Sequence, residues 1–280
     1  MLTPRPNTGA AGYRPKMGLV AIARPSMTRS FDGSRYVEPD AVLEKFVDGW
    51  TQLVFLTDRD LPFEALSEFL SEDERARLAR MSSLNAAHQF IAGRWLLRTI
   101  LAAVTGGTPE QVSLEYDLHG KPRMARPPAG GIDFSLSHSG HLAVLALGRN
   151  GRVGVDIERI RPLSDISRLA RRILTAKELA GFEASPQEEQ SRPLIAAWAR
   201  KEAVLKALGT GISGSPSSVE VTLDCTLESV EFLALATGHV PERWTVRTLA
   251  MPPEFQGALA LEGPASFVAV WQAFPVRPGP

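Results

Sequence analysis

Two carboxylates, Asp156 and Glu158, stand one residue apart in the stretch Arg152-Val-Gly-Val-Asp-Ile-Glu-Arg-Ile160. Val153, Val155 and Ile157 alternate with Gly154, Asp156 and Glu158, the period-two pattern of a strand with one apolar face, so both acids share the other face. Side chains two apart on a strand stand roughly 7 Å from each other and point the same way, a gap about the width of a coordinated divalent cation. The pair reads either as a solvated polar face or as part of a cation site. Downstream, Trp198, Glu202 and Lys206 recur every four residues, which places them on one side of a helix. A Glu–Lys pair at that spacing is ordinarily an exposed helix stabiliser; sharing its side with a tryptophan argues for a more enclosed setting. Three carboxylates without a sulfur ligand suit a hard cation, Mg²⁺ or Mn²⁺, which completes its shell with water and phosphate oxygens. That is the chemistry of phosphoryl transfer, in which a carboxylate or metal-bound water takes a proton from an incoming hydroxyl.

Candidate anion partners lie upstream. Ser71-Glu-Asp-Glu74 is a capping box opening a helix that carries Arg75, Arg77 and Arg80. A longer helix follows from Ala86 to Val104, with Arg94 and Arg98 on one face and Leu97, Leu101 and Val104 as its apolar stripe. Five arginines in two consecutive helices read either as an anion site or as surface charges partnered by Glu72, Asp73 and Glu74. Gly120-Lys-Pro122 is a turn that presents Lys121 on a constrained backbone. In Asp133-Phe-Ser-Leu-Ser-His-Ser-Gly140, Phe134 and Leu136 alternate with Ser135, Ser137 and Ser139. His138 is flanked by hydroxyls where the strand runs out, the composition of an anion-binding loop. His138 and His141 have metal-like spacing, but no third ligand stands near them for zinc.

The elements that must position these groups follow from pattern. Thr51 to Leu56 and Leu142 to Leu147 read as strands, and Arg149-Asn-Gly151 as a hairpin turn into the carboxylate strand. Ser164 to Leu174 is a helix, and Thr175-Ala-Lys-Glu178 caps another, so Glu178 is a cap residue, a site residue, or both. Ala184 to Arg192 reads as a loop, and the helix bearing Glu202 runs from Leu194 to Leu208, ended by Gly209. Further strands are expected around Val219 to Leu223, Trp244 to Leu249 and Phe267 to Trp271. Residues 1–35, rich in Pro, Gly, Arg and Ser, read as a flexible extension. The expected class is α+β, in two lobes at 36–150 and 151–280.

With 280 residues, 44% hydrophobic and 22% charged, the chain is expected to be soluble and globular. Thirty-one basic against 31 acidic residues give no overall excess to draw it to nucleic acid. A single cysteine, Cys225, excludes an internal disulfide framework, and the cytoplasm is the expected location. No uncharged apolar run reaches membrane-spanning length. No Walker loop, kinase motif or Gly-x-Ser-x-Gly elbow is present.

Gly154-Val-Asp-Ile-Glu158, followed some 40 residues later by Trp198-Ala-Arg-Lys-Glu-Ala-Val-Leu-Lys206, resembles the paired signature of the 4′-phosphopantetheinyl transferases. Gly120-Lys-Pro122 and Phe134-Ser-Leu-Ser-His-Ser-Gly140 match the larger, pseudodimeric Sfp-like type. The resemblance covers about residues 50–275 and implies two similar α+β lobes with the cofactor in a cleft between them. It implies Asp156, Glu158 and Glu202 as Mg²⁺ ligands, with Glu202 also the general base. Lys206 would hold a phosphate of coenzyme A, while Lys121, Ser137 and His138 hold its pyrophosphate and 3′-phosphate and Arg75 and Arg80 lie near the nucleotide. The implied reaction moves phosphopantetheine from coenzyme A to a serine of an apo acyl or peptidyl carrier protein, releasing 3′,5′-ADP. Polyketide or nonribosomal peptide carriers are the implied partners, and a pseudodimer needs no second copy, so a monomer is expected. One departure is Gln89 after His88, where the family often carries a basic residue; Arg94 or Arg80 is expected to compensate. The residues alone leave one alternative, a Mg²⁺-dependent hydrolase of coenzyme A or a related nucleotide.

Overall fold

The computed structural model describes residues 16–21, 46, 50–59, 61–149, 151–209, 215–226, 229–230, 234–235, 244–263 and 268–276. The first half contains β1 (Lys16–Ala21), β2 (Thr51–Thr57), α1 (Phe63–Ser67), α2 (Glu72–Leu78) and α3 (Leu84–Thr105). The short strands β3 (Leu114–Tyr116) and β4 (Pro122–Met124) lead to β5 (Asp133–Ser139), β6 (Leu142–Gly148) and β7 (Val153–Arg159). Three helices follow, α4 (Ile166–Ile173), α5 (Ala176–Glu183) and α6 (Ser191–Leu208). Strands β8 (Val219–Glu220), β9 (Ser229–Val230), β10 (Ala234–Leu235), β11 (Trp244–Thr248), β12 (Phe255–Glu262) and β13 (Val268–Val276) complete the order.

Two sheets carry the fold. One has the order β1-β13-β2-β6-β5 and the other β7-β12-β11-β9. Strand alternation sends residues to opposite faces, and both faces of the first sheet are apolar. Val54 and Leu56 of β2 join Trp95, Leu96 and Leu101 of α3 in one core. Leu53 and Phe55, on the other face, join Val153, Val155, Ile157 and Leu259 in a core between the two sheets. Ala258 and Ala260 of β12 face Ala203, Val204 and Ala207 of α6 in a third. The result is helix, sheet, sheet, helix.

The two halves repeat a local device. Ser71 and Glu74 form a capping box at α2, as Thr175 and Glu178 do at α5. Each glutamate then reaches the long helix that follows. Glu74 pairs with Arg98 at 2.8 Å and Glu178 with Lys201 at 2.7 Å, all four side chains being buried.

Several expectations need correction. Residues 16–21, assigned to a flexible extension, form β1, paired antiparallel with β13, and Met17 and Leu19 are buried. The local composition lacked a partner that the far end of the chain supplies. Residues 268–276 do not stay in the second lobe, since β13 lies between β1 and β2 of the first sheet and runs parallel to β2. Strands β6 and β7 do not form a hairpin: β6 pairs with β2 and β5, whereas β7 pairs with β12. The chain changes sheets there. Helix α6 begins at Ser191, within the segment read as a loop, after a 3-10 turn at Gln187–Glu189. Strand β12, Phe-Gln-Gly-Ala-Leu-Ala-Leu-Glu, went unread because alanine and glycine give it little β character.

Candidate active site

Strands β5 and β7 run side by side at the edges of their sheets without a backbone ladder between them. Side chains of β5 take the place of its carbonyls. The backbone N–H groups of Val153, Val155, Ile157 and Arg159 donate to Asp133 Oδ2 (2.8 Å) and to Oγ of Ser135 (3.1 Å), Ser137 (3.2 Å) and Ser139 (3.0 Å). Two of these hydroxyls continue to a carboxylate. Ser137 donates to Asp156 Oδ1 at 2.8 Å and Ser139 to Glu158 Oε2 at 3.0 Å.

Helix α6 lies against β7 at Gly154. A Cβ there would stand 1.9 Å from the Ala203 carbonyl oxygen and 2.5 Å from the Ala207 nitrogen, so only glycine permits this approach. The approach brings the four-residue repeat of α6 onto the carboxylates. Trp198 Nε1 donates to Glu158 Oε1 at 3.0 Å, and Lys206 Nζ donates to Asp156 Oδ1 at 2.6 Å. Glu202, half-buried between them in sequence, lines a cleft of about 300 Å³. Burial, then the nearby Asp156 charge, pushes the Glu158 and Glu202 carboxyls above their ordinary range, while Lys206 pulls both back in part.

The cleft is lined from both halves of the chain, by Arg77, Arg94, Lys121 and His138 of the first and by Glu202 and Lys206 of the second. Lys121 is spoken for in part, donating to Asp133 Oδ2 at 3.0 Å, and burial lowers its ammonium pKa. His138 opens to the cleft, yet the surrounding protein and then the Lys206 charge hold its imidazole below the ordinary value. Arg94 is buried, stacks on Phe90, and donates from Nη2 to the Tyr116 hydroxyl at 2.9 Å; its Nη1 is buried without a partner.

The remaining predicted residues are placed differently. Ser137 is 4% exposed and does not line the cleft, its hydroxyl being committed to Asp156 and to the backbone of Ile157. Arg75 donates to the Leu70 carbonyl and does not line the cleft either. Arg80 lines an adjoining groove with Arg77, Arg98 and Tyr116. Glu178 is consumed structurally: it caps α5, accepts from the Val221 amide at 2.7 Å and pairs with Lys201. His141 approaches Arg59 and Phe255. Arg77, one of the five arginines read as an anion site or as surface charges, lines the cleft, whereas the serine alternation assigns Ser139 no role. Gln89 donates to the Gly140 carbonyl at 2.8 Å, tying α3 to the end of β5.

Among the described residues no three His, Cys, Asp or Glu side chains stand close enough together to hold a metal ion as they are. The Lys206 ammonium is instead the cation on Asp156 Oδ1, and Asp156 Oδ2 is buried without a hydrogen-bond partner. An orphaned carboxylate oxygen beside two carboxylates that it repels is a donor set that fits a hard divalent cation. No described helix is long and apolar enough to cross a membrane.

Comparison with known proteins agrees with the motif reading. Residues 152–259 match the family model described as the 4′-phosphopantetheinyl transferase superfamily, and residues 58–149 match the one described as 4′-phosphopantetheinyl transferase, N-terminal. The chain is 37% identical to the 4′-phosphopantetheinyl transferase HetI of Nostoc sp. over 58% of its own length and 68% of that protein. It is 32% identical to the 4′-phosphopantetheinyl transferase psf-1 of Bacillus pumilus, over 72% of this chain and 83% of that one. A 4′-phosphopantetheinyl transferase of Bacillus subtilis is 29% identical over 70% of this chain and 83% of its own. The hydrolase alternative finds no support among these relatives. With one family model on each half and relatives at 32 and 37% identity matched over more than two thirds of their length, the chain belongs to the 4′-phosphopantetheinyl transferase superfamily.

Proposed function

We propose that the cleft between α3 and α6 is where this transferase moves 4′-phosphopantetheine from coenzyme A to a serine of an apo acyl or peptidyl carrier protein, releasing 3′,5′-ADP. The observation that carries the reading is that Glu202, which feels the charges of Asp156 and Glu158, lines a cleft that Arg77, Arg94, Lys121, His138 and Lys206 line as well. Asp156, Glu158 and Glu202 would hold Mg²⁺ or Mn²⁺, which when bound neutralises charge on the pyrophosphate. Arg77, Lys121 and His138 line the same cleft and would face the phosphates. Arg94 also lines the cleft, which supports the expectation that it offsets the neutral Gln89.

In the transfer, the carrier serine oxygen bonds to the phosphorus that bears pantetheine. The bond from that phosphorus to the bridging oxygen breaks, and 3′,5′-ADP leaves with the electron pair. The serine proton goes to Glu202, the carboxylate that lines the cleft. Lys206, whose ammonium donates to Asp156 Oδ1, balances charge there before substrate arrives.

Intact mass of an apo carrier protein, incubated with this protein, coenzyme A and Mg²⁺, tests the reading. One phosphopantetheine of added mass, lost with EDTA, is expected. Consumption of coenzyme A without a gain in carrier mass would instead restore the hydrolase.

A further inference from the structure

We propose that Ser137 and Ser139 are positioning residues that aim the carboxylates of Asp156 and Glu158 across the seam between the two sheets. The inference rests on the cation reading above and extends it to two residues that do not line the cleft. Both serines make the same pair of bonds. Ser137 Oγ accepts from the Ile157 amide and donates to Asp156; Ser139 Oγ accepts from the Arg159 amide and donates to Glu158. Each hydroxyl thus holds a carboxylate and the next backbone N–H in fixed relation, leaving its single proton no other use.

The distribution of donors decides which oxygens remain. Asp156 Oδ1 receives both Ser137 and Lys206, so Oδ2 is left bare and buried. Glu158 is gripped at both ends, by Ser139 on Oε2 and Trp198 on Oε1, which fixes the plane of its carboxylate and leaves each oxygen one lone pair. A ligand pre-aimed in this way loses less rotamer freedom on binding a cation, and outer partners of this kind typically tune metal affinity by about 10–100-fold.

Ser135 supplies an internal control. Its hydroxyl accepts from the Val155 amide in the same geometry, but the residue before Val155 is Gly154, so it has no carboxylate to hold. Removing it costs the seam one hydrogen bond without altering a ligand.

The experiment titrates the full-length protein with Mn²⁺ alone, reading free Mn²⁺ by electron paramagnetic resonance, for wild type, Ser139→Ala, Ser137→Ala, Ser139→Thr and Ser135→Ala. Ser139→Ala and Ser137→Ala are expected to weaken Mn²⁺ binding about tenfold or more. Ser139→Thr, which keeps the hydroxyl, should recover most of the loss. Ser135→Ala should lower the melting temperature about as much as Ser139→Ala yet leave Mn²⁺ affinity within about twofold of wild type, since no ligand loses an outer partner. Unchanged affinity in both Ser137→Ala and Ser139→Ala, or an equal loss in Ser135→Ala, overturns the positioning role alone. A wild type that binds no Mn²⁺ overturns the cation reading beneath it.

Discussion

Lys206 and Asp156, fifty residues apart, meet at 2.6 Å with the lysine side chain 30% exposed and the aspartate 5%. The ammonium compensates a charge that is otherwise costly to bury. Replacing it with methionine is expected to lower stability in EDTA by roughly 1–3 kcal/mol, less than a fully buried pair because lysine keeps contact with water. Added Mg²⁺ should then raise the melting temperature of Lys206→Met more than that of wild type, because the cation has no ammonium to displace. Equal shifts in the two proteins would show that Lys206 and the cation do not share Asp156.

Glu178 and Lys201 separate a structural role from a catalytic one. Both side chains are almost fully enclosed, and Lys201 also donates to the Pro216 and Val219 carbonyls. Glu178→Gln strands a buried ammonium and is expected to cost about 3–5 kcal/mol in denaturant unfolding. The kcat/KM of the protein that remains folded should stay near wild type. A specific loss of turnover with stability intact would return Glu178 to the site.

His138 sets a pH dependence. Its folded pKa lies below the ordinary 6.5, so as pH falls the unfolded chain takes up this proton first. The group therefore costs stability from pH near 6.5 downward through its folded value, and none well above. The imidazole resonances of the free protein should titrate below 6.5, and 3′,5′-ADP should move the midpoint upward by favouring the imidazolium. A midpoint at 6.5 or higher, indifferent to the nucleotide, would place His138 outside the anion site.

Gly154 tests the spacing of α6 from β7. An alanine at this position would bring its Cβ to 1.9 Å from the Ala203 carbonyl oxygen, so helix and strand must part. Gly154→Ala is expected to destabilise the protein by at least about 3 kcal/mol, at the upper end for overpacking, since the obstacle is backbone. Any folded fraction should bind Mn²⁺ weakly. A stable, fully active variant would mean that α6 has room the packing denies.

The face of each element of the candidate site was readable and its neighbour was not. Alternation in residues 133–139 and 153–159 assigns the serines and the acids to shared faces, and the four-residue recurrence of Trp198, Glu202 and Lys206 assigns theirs. Both capping boxes stand where Ser71-Glu74 and Thr175-Glu178 put them. Periodicity says nothing of which strand lies alongside, so the parallel seam of β5 and β7 was hidden, and the Asn-Gly turn suggested a hairpin instead. Arg75 and Arg77 show the same limit. They share one short helix, and only packing turns Arg77 to the cleft and Arg75 to the Leu70 carbonyl. The reach of Glu178 to Lys201 was equally silent, because a satisfied cap looks complete in one dimension.

The strand β13 lies between β1 and β2, bonded to both, and is the last described element to leave the ribosome. Until it arrives, β2 has an open edge whose amides and carbonyls lack the partners they have in the finished sheet. Strands β2, β6 and β5 can pair earlier, but β1 waits until Trp271 and its neighbours have been made. Maturation of the first half is thus timed by translation of the second. Truncating the chain before Val268 should leave an unsealed β2, one that chaperones hold and proteases cut.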